Sequence, residues 1–293
     1  MSLLAVGLVI VAAFCHASWN LLAKRSSGGV AFVWLIQLTG ALLYAPIVLG
    51  FFLESPPEFT PALFGAVGAS ALAHMAYFMS LQRGYRGGDL SLVYPVARGT
   101  GPTLATIGAI LVYGERPSLL GILGAILVIT GVFFISMSSR RQRENHTVEQ
   151  RNARLHGLKW GLITGLFIAS YSMIDSFAVA QLSIFPFFYL WFSDVTRSIL
   201  LAPAALRRLG AVKHELRHHR LEVVGVGILS PLSYLLVLFA MSFTPLSYVA
   251  PAREMSILIG TVMGARLLAE DGGRRRVFAA ILIVGGVVAL ALG

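Results

Sequence analysis

Residues 90–95 read LSLVYP and residues 246–251 read LSYVAP, so one proline-containing phrase occurs twice, 156 positions apart, with four of six positions identical. An arginine follows each copy within three residues, Arg98 in the first and Arg253 in the second. The repetition predicts that the chain consists of two copies of one unit. Further matching stretches are ASW at 17–19 with ASY at 169–171, FVWL at 32–35 with FFYL at 187–190, Ala45-Pro46 with Ala202-Pro203, and Glu115 with Glu270.

The composition is that of a membrane protein. Of the 293 residues, 57% are hydrophobic and 12% charged, with a mean hydropathy of +0.79, whereas soluble domains carry roughly a quarter charged residues. The net charge of +10 does not indicate nucleic-acid binding, because most basic residues lie in the loops between apolar segments. The single cysteine, Cys15, cannot form an internal disulfide and is interpreted as a packing residue.

Ten apolar segments follow one another along the chain, each close to the ~20 residues that a helix needs to cross the hydrocarbon core. Backbone groups in lipid must be satisfied within the segment, which favours helices. The sequence therefore predicts an all-α integral membrane protein. The predicted spans are 3–23, 30–53, 61–83, 89–112, 118–138, 157–179, 184–206, 221–243, 246–268 and 274–292.

Each copy contains five spans, an odd number, so the second copy must enter the bilayer in the opposite direction. This predicts two inverted five-helix repeats around a central cavity, related by an axis in the membrane plane. We place the first repeat at residues 1–138 and the second at 157–293, with a basic cytoplasmic linker at 139–156 between them.

Lysine and arginine are concentrated in the odd-numbered loops, while the even-numbered loops contain only Arg116. Basic loops stay on the cytoplasmic side of a membrane. We therefore expect a multi-pass protein of the cell inner (plasma) membrane with both termini outside.

The stretch at 78–135, FMSLQRGYRGGDLSLVYPVARGTGPTLATIGAILVYGERPSLLGILGAILVITGVFFI, resembles the repeat of the EamA-type drug/metabolite transporter superfamily, including its glutamate-bearing turn YGER at 113–116. In the second half this turn reads AEDGG at 269–273, so Glu270 or Asp271 takes the place of Glu115. HASWNLLAKRS at 16–26 resembles the amino-acid and metabolite exporter branches. The resemblance implies ten helices around a central cavity and export of amino acids or related small metabolites.

Polar side chains inside spans are the clearest functional candidates, because an ionisable group facing hydrocarbon is costly. His16, Trp19 and Asn20 share one face of the first helix, which predicts either a cavity lining or a hydrogen-bonded packing triad. His74 and Tyr77 repeat this pattern in the third helix. Such polar and aromatic pairs suit a ligand with a charged end and an apolar side chain.

Pro95 and the run GTGP at 99–102 flank Arg98, and we predict that they interrupt the fourth helix. Arg98 could clamp a substrate carboxylate or form a structural lock with a carboxylate of the second half. The available partners for such a lock are Asp175, Asp194 and Glu254.

In the second half, Asp194 and Arg197 lie three residues apart and are expected to neutralise one another. Tyr171 and Asp175 share a helical face, and Asp175 could carry a proton if export is proton-coupled. The predicted substrate-binding residues are His16, Trp19, Asn20, His74, Tyr77, Tyr94, Arg98, Tyr171, Asp175, Trp191 and Arg253.

The predicted function is secondary transport by alternating access, with export of small amphipathic metabolites, most of all amino acids with aromatic or other apolar side chains. One alternative is a broad exporter of hydrophobic or cationic compounds, and another is a membrane enzyme acting on lipid. No cofactor, metal or nucleic acid is expected, since ATP-binding motifs are missing from the sequence and the loop histidines lack a ligand framework. The expected partners are the small solute and the lipid bilayer, and a monomer is the expected state.

Overall fold

The computed structural model describes residues 1–26, 29–87, 90–137, 148–268 and 274–293. Within these ranges all extended regular structure is helical. The helices are α1 (Leu3–Ala23), α2 (Gly29–Glu54), α3 (Pro61–Gly87), α4 (Leu90–Val112), α5 (Leu119–Met137), α6 (Val148–Ser176) with a π-helical turn (Phe177–Gln181), α7 (Pro186–Leu206), α8 (Leu209–His218), α9 (Arg220–Phe243), α10 (Leu246–Ala252), α11 (Met255–Leu268) and α12 (Arg274–Leu292).

The predicted all-α membrane fold with about ten spans is confirmed. Each predicted span coincides with a helix or, at 246–268, with the pair α10 and α11. Five of the described helices are long and apolar enough to cross a membrane by themselves, namely α1, α2, α3, α6 with its π turn, and α9. Two differences concern the connections. The helix α6 begins at Val148, inside the predicted linker, and the short helix α8 was not predicted.

The predicted interruption of the fourth helix around Arg98 is wrong, because α4 runs through Pro95 and Pro102 without a break. Two hydroxyl groups hold this region, since Thr100 Oγ1 donates to the Val96 carbonyl and Thr103 Oγ1 to the Gly99 carbonyl, each at 2.6 Å. The proline phrase therefore leaves the first copy continuous.

The second copy of the phrase does break its helix. Helix α10 ends at Ala252 and α11 begins at Met255, so Arg253 and Glu254 form a two-residue junction. Here amides bond three residues back, with Glu254 N–H donating to the Pro251 carbonyl at 3.0 Å. The break places two adjacent charged side chains at the middle of a span.

The packing of the helices follows a pseudo-two-fold arrangement. The helices α1 to α5 of the first repeat correspond in order to α6, α7, α9, α10–α11 and α12 of the second. Under this correspondence the contact of α3 with α6 is equivalent to that of α9 with α1, and both are present. The contact of α4 with α6 is likewise equivalent to that of α11 with α1, and both are present. The pairs α2 with α7, α4 with α10, and α5 with α12 map onto themselves. The two repeats are thus interlocked rather than side by side.

Two tryptophans show this symmetry at atomic level. Trp34 Nε1 donates to the Ser198 carbonyl at 3.1 Å, and Trp191 Nε1 donates to the Ala41 carbonyl at 2.8 Å. Ala45-Pro46 and Ala202-Pro203 are 157 positions apart, and the same offset relates Trp34 to Trp191 and Ala41 to Ser198. The match of FVWL with FFYL, at an offset of 155, is therefore out of register by two residues. Each tryptophan therefore makes the same bond across the α2–α7 interface.

Glycines allow the closest helix crossings. A Cβ at Gly124 would lie 2.7 Å from the Gly286 carbonyl oxygen, and a Cβ at Gly286 would lie 2.7 Å from the Gly124 oxygen, so α5 and α12 meet backbone to backbone. On α6, a Cβ at Gly161 would lie 2.9 Å from Val96, and one at Gly165 would lie 2.0 Å from Thr100. These two glycines therefore allow α6 to pack closely against α4.

The two chain termini lie at one end of the bundle. The Met1 ammonium group donates to the carbonyls of Leu290 and Ala291, at 3.3 and 3.1 Å. Since ten spans return the chain to the side where it began, this contact agrees with the helix count.

Candidate functional site

The charged side chains of the interior converge between the repeats. The buried ones are Asp175, Asp194, Arg197 and Glu254, each at most 7% exposed. Arg98 and Arg253 lie beside them and are partly exposed. Because burying an unpaired charge is costly, the partners of each group indicate which charges serve the fold and which face a ligand.

Asp175 lies on α6, two residues before the π-helical turn, and is fully buried. Its Oδ1 accepts a hydrogen bond of 2.6 Å from the Tyr189 hydroxyl, and its Oδ2 accepts one from the Tyr234 hydroxyl. The Ser70 hydroxyl also faces this carboxylate. Among the described residues no cation forms an ion pair with Asp175, although Arg197 lies within electrostatic reach, so hydroxyl groups supply its hydrogen bonds.

An aromatic cluster surrounds this carboxylate. The His74 ring stacks on Tyr171 with centroids 4.0 Å apart, and it meets Tyr234 edge-on at 5.9 Å. Tyr77 meets Tyr171 edge-on at 5.9 Å. His74 Nδ1 lies 2.9 Å from the Ser70 carbonyl, which can only accept, so Nδ1 carries a proton and donates it to this bond.

Arg253, at the break between α10 and α11, lies over the ring of Tyr234. Its Cζ is 5.2 Å from the centroid of the Tyr234 ring. In the described part of the chain it forms no ion pair, and it is partly exposed. The interaction with Tyr234 is a cation–π contact, which leaves the guanidinium donors free for an anion.

The neighbouring residue, Glu254, points elsewhere and pairs with Arg98. Arg98 Nε lies 3.0 Å from Glu254 Oε2, and Arg98 Nη2 donates to Ser256 Oγ at 3.3 Å. Of the alternatives for Arg98, the structure contains the lock, with Glu254 as the partner among the three candidates. At the offset of 156, moreover, Arg98 corresponds to Glu254 and not to Arg253.

Asp194 and Arg197 form a buried ion pair within one turn of α7, as their spacing predicts. Both charges are thereby compensated. Arg197 also lies within electrostatic reach of His74 and Asp175, so the pair borders the cluster.

Three polar and aromatic side chains of α1, namely His16, Trp19 and Asn20, form a second and smaller group of contacts. The His16 and Trp19 rings meet edge-on at 4.8 Å, and Asn20 Nδ2 donates to the His16 carbonyl at 2.8 Å. His16 lies within electrostatic reach of Arg98 and Arg253.

The predicted residues divide into three groups. His74, Tyr77, Tyr171, Asp175 and Arg253 meet around Tyr234, while Tyr94 and His16 lie near the Arg98–Glu254 pair. The amide of Asn20 and the indole of Trp191 are bound to backbone carbonyls, Trp191 at the α2–α7 interface away from the cluster. Trp19 belongs with these two, because its ring packs on His16 and against an apolar core that includes Phe32 and Leu35 of α2.

Sequence reasoning left two tyrosines out of the site. Tyr189 stands in the aromatic run FPFFYLWF at 185–192, which is also typical of an interfacial belt, and the sequence allows Tyr234 either to line the cavity or to belong to such a belt. Only their contacts with Asp175 identify them, and no local sequence signal could have shown those contacts.

Glu115 joins the repeats outside the cluster. Its two carboxylate oxygens accept hydrogen bonds of 2.9 Å from the amides of Leu246 and Ser247 at the start of α10. Gly114 turns the chain before it with φ +68°, a conformation that favours glycine. The corresponding residues Glu270 and Asp271 lie outside the described residues, as does His146.

Metal ligation finds no support in the described ranges, where no group of three or more His, Cys, Asp or Glu side chains could hold an ion.

Comparisons with known proteins agree with this architecture. The EamA-like transporter family matches this chain twice, at residues 3–137 and 155–292. The spermidine export protein MdtI of Shigella flexneri is 27% identical over 92 residues, which cover 31% of this chain and 83% of MdtI. A solved crystal structure superposes with a TM-score of 0.76 over 98% of each chain at 15% identity, a likeness that concerns the fold alone.

Proposed function

Because the chain belongs to the EamA-like transporter family, within the drug/metabolite transporter superfamily, we propose that it exports amino acids, including aromatic and other apolar ones, by alternating access. Transport is the function of the family, and it is favoured over the alternative of a membrane enzyme acting on lipid. We further propose that one chain is the working unit, since both repeats reside in it, and that it lies in the cell inner membrane with both termini outside.

One observation carries the choice of substrate. Asp175 and Arg253 have opposite charges, neither has an ionic partner in the described structure, and both contact Tyr234, one at its hydroxyl and the other over its ring. An α-amino acid carries an ammonium and a carboxylate on the same carbon. It could therefore satisfy both groups at once, with the ammonium on Asp175 and the carboxylate on the fork of Arg253.

The rings beside this pair suit an apolar side chain. His74, Tyr77 and Tyr171 pack edge-on or stacked next to Tyr234. Such a group offers apolar surface with few polar atoms, as pockets for amphipathic ligands do. Aromatic amino acids would gain ring contacts here that small amino acids lack.

The interlocked repeats support alternating access. Equivalent helix contacts occur on both sides of the pseudo-two-fold axis. Two nearly equivalent arrangements are then available, one open to each side of the membrane. The Arg98–Glu254 pair, which joins equivalent positions, would remain near the axis in both arrangements.

Asp175 also offers a route to coupling. A single carboxylate can accept a proton or a substrate ammonium, but not both at once. Exchange of one for the other across the membrane would give proton-driven export, and a pH gradient should then drive transport.

Cationic amines are the second candidate. A buried carboxylate ringed by Tyr171, Tyr189 and Tyr234 would also hold an amine, and the related MdtI is named for spermidine export. An amine has no carboxylate for Arg253 to bind. The amino-acid exporter and the amine exporter therefore differ in whether the substrate must contain a carboxylate.

Liposomes containing the purified protein would test both. The panel consists of labelled phenylalanine, phenethylamine, 3-phenylpropionate and spermidine, with and without a pH gradient. We expect transport of phenylalanine alone, faster with the gradient. Transport of both amines without phenylalanine would establish the second candidate, and transport of none of the four would contradict both.

A further inference from the structure

A basic recess lies where the last turn of α3 meets the first turns of α6, at the end of the bundle opposite the chain termini. It has a volume of about 260 Å³ and is lined by Arg83, Arg86, His156 and Trp160. None of these residues belongs to the cluster around Tyr234.

Two contacts shape the recess. The Arg83 guanidinium carbon lies 5.4 Å from the centroid of the Trp160 ring, which orients the guanidinium group by a cation–π interaction. His156 Nε2 lies 3.1 Å from the Arg83 carbonyl oxygen. Since a carbonyl only accepts, Nε2 carries a proton and donates it to this bond, in which Nδ1 takes no part.

Within the described residues, the positive charge of the recess has no acidic partner. Its lining contains no carboxylate, and neither Arg83 nor Arg86 forms an ion pair within the described parts of the chain. Both arginines are exposed, so the recess is open to a ligand. Planar guanidinium groups bind phosphate through paired hydrogen bonds, which makes a phosphate the anion that fits best.

An apolar strip of exposed side chains begins beside the recess and follows the outer face of α6 along its length. Four leucines at helical spacing form it, each between 40% and 56% exposed. Tryptophan is typical of the headgroup level of a bilayer, and Trp160 lies at the start of the strip. The leucines are Leu155, Leu158, Leu162 and Leu166.

We propose that this recess binds the phosphate of an anionic phospholipid headgroup, with the acyl chain along the leucine strip of α6. The strip favours a lipid over a free phosphate, because a soluble ligand would have no use for it. The bound lipid would join α3 to α6, the helices that carry His74 and Asp175. This site goes beyond the proposed substrate and does not depend on it.

Lipid titration of the full-length protein in detergent would test the proposal, with bound lipid counted by native mass spectrometry. Phosphatidylglycerol and phosphatidylcholine of the same chain length are compared. We expect tighter binding of phosphatidylglycerol, weakened roughly thirtyfold in the double variant Arg83→Gln/Arg86→Gln, because each basic residue contributes about fivefold. Arg208→Gln/Arg217→Gln, an equal change of charge at exposed arginines near α8, should leave the affinity unchanged.

Three results would overturn the proposal. The first is equal binding of the two lipids, and the second is undiminished binding of phosphatidylglycerol in the Arg83/Arg86 variant. The third is displacement of the lipid by glycerol phosphate at a concentration similar to that of the lipid, which would indicate a site for soluble phosphates. If the double variant does not fold, the exposed Arg86→Gln alone serves, with an expected loss of about fivefold.

Discussion

Arg98 and Glu254 occupy equivalent positions in the two repeats and form an ion pair with each other, Nε to Oε2, at 3.0 Å. A residue on a two-fold axis meets its own counterpart. Two identical charges would repel there, whereas this chain has opposite charges at the two positions. Duplication followed by divergence at one position thus gives a lock between the halves.

Removing one partner should therefore destabilise the fold. Glu254→Gln leaves the Arg98 charge buried without a counter-ion, and a loss of about 3–5 kcal/mol in the free energy of unfolding is expected for such a change. Arg98→Gln should have a similar effect. Thermal unfolding in detergent measures both.

The exchange Arg98→Glu/Glu254→Arg provides the control. Because the positions are equivalent, the reversed pair should restore more than half of the lost stability. Additive losses in the double variant would show that the two side chains are not coupled.

Two adjacent glycines of α12 predict opposite outcomes. At Gly286 an added Cβ would lie 2.7 Å from the Gly124 carbonyl oxygen, whereas at Gly285 nothing lies within 4 Å. We expect Gly286→Ala to lower the free energy of unfolding by about 1–3 kcal/mol through overpacking. Gly285→Ala should leave it unchanged or slightly raised. Equal effects would contradict the close crossing of α5 and α12.

The reciprocal tryptophan bonds predict equal effects on both sides of the pseudo-two-fold axis. Trp34→Phe and Trp191→Phe each remove one indole N–H bond to a carbonyl, and each should lower stability by about 1 kcal/mol. Neither should alter substrate selectivity. A change in selectivity for Trp191→Phe alone would return this residue to the binding site.

The basic odd-numbered loops predict that both termini face outside. A periplasm-active reporter such as alkaline phosphatase should work when fused after Gly293, and a cytoplasm-active one should not. The same reporters inserted after Arg207, in the basic connection before α8, should behave in the opposite way. Activity of the cytoplasmic reporter at the C-terminus would reverse the orientation.

The spans were predictable because a helix in lipid must contain an apolar run of fixed length. The helix break was not, since both copies of the phrase contain its proline, Pro95 and Pro251. The hydroxyl groups after the proline have different partners in the two copies: Thr100 donates within α4 to the Val96 carbonyl, whereas Ser256, which corresponds to Thr100, accepts a bond from Arg98. The sequence shows a hydroxyl residue at both positions, but not which partner each hydroxyl has.

The site was predictable in part, for a related reason. Charged residues within spans had to face the interior, and the structure brings Asp175 and Arg253 to one tyrosine. Within the run FPFFYLWF, however, Tyr189 faces Asp175 while Trp191, two residues on, faces α2. An aromatic run has no polar face from which its rotation could be inferred, so that assignment needs the tertiary structure.

The most direct test of the central proposal measures binding of phenylalanine, phenethylamine and 3-phenylpropionate to the wild-type protein, Asp175→Asn and Arg253→Gln, with the exposed Arg217→Gln as the control. Each charge-assisted bond should contribute roughly 10- to 150-fold in affinity. We expect Asp175→Asn to lose the preference for ligands with an ammonium group, and Arg253→Gln to lose the preference for a carboxylate, each leaving the other preference intact. Variants that bind all three ligands with the wild-type order of affinities would contradict the proposal.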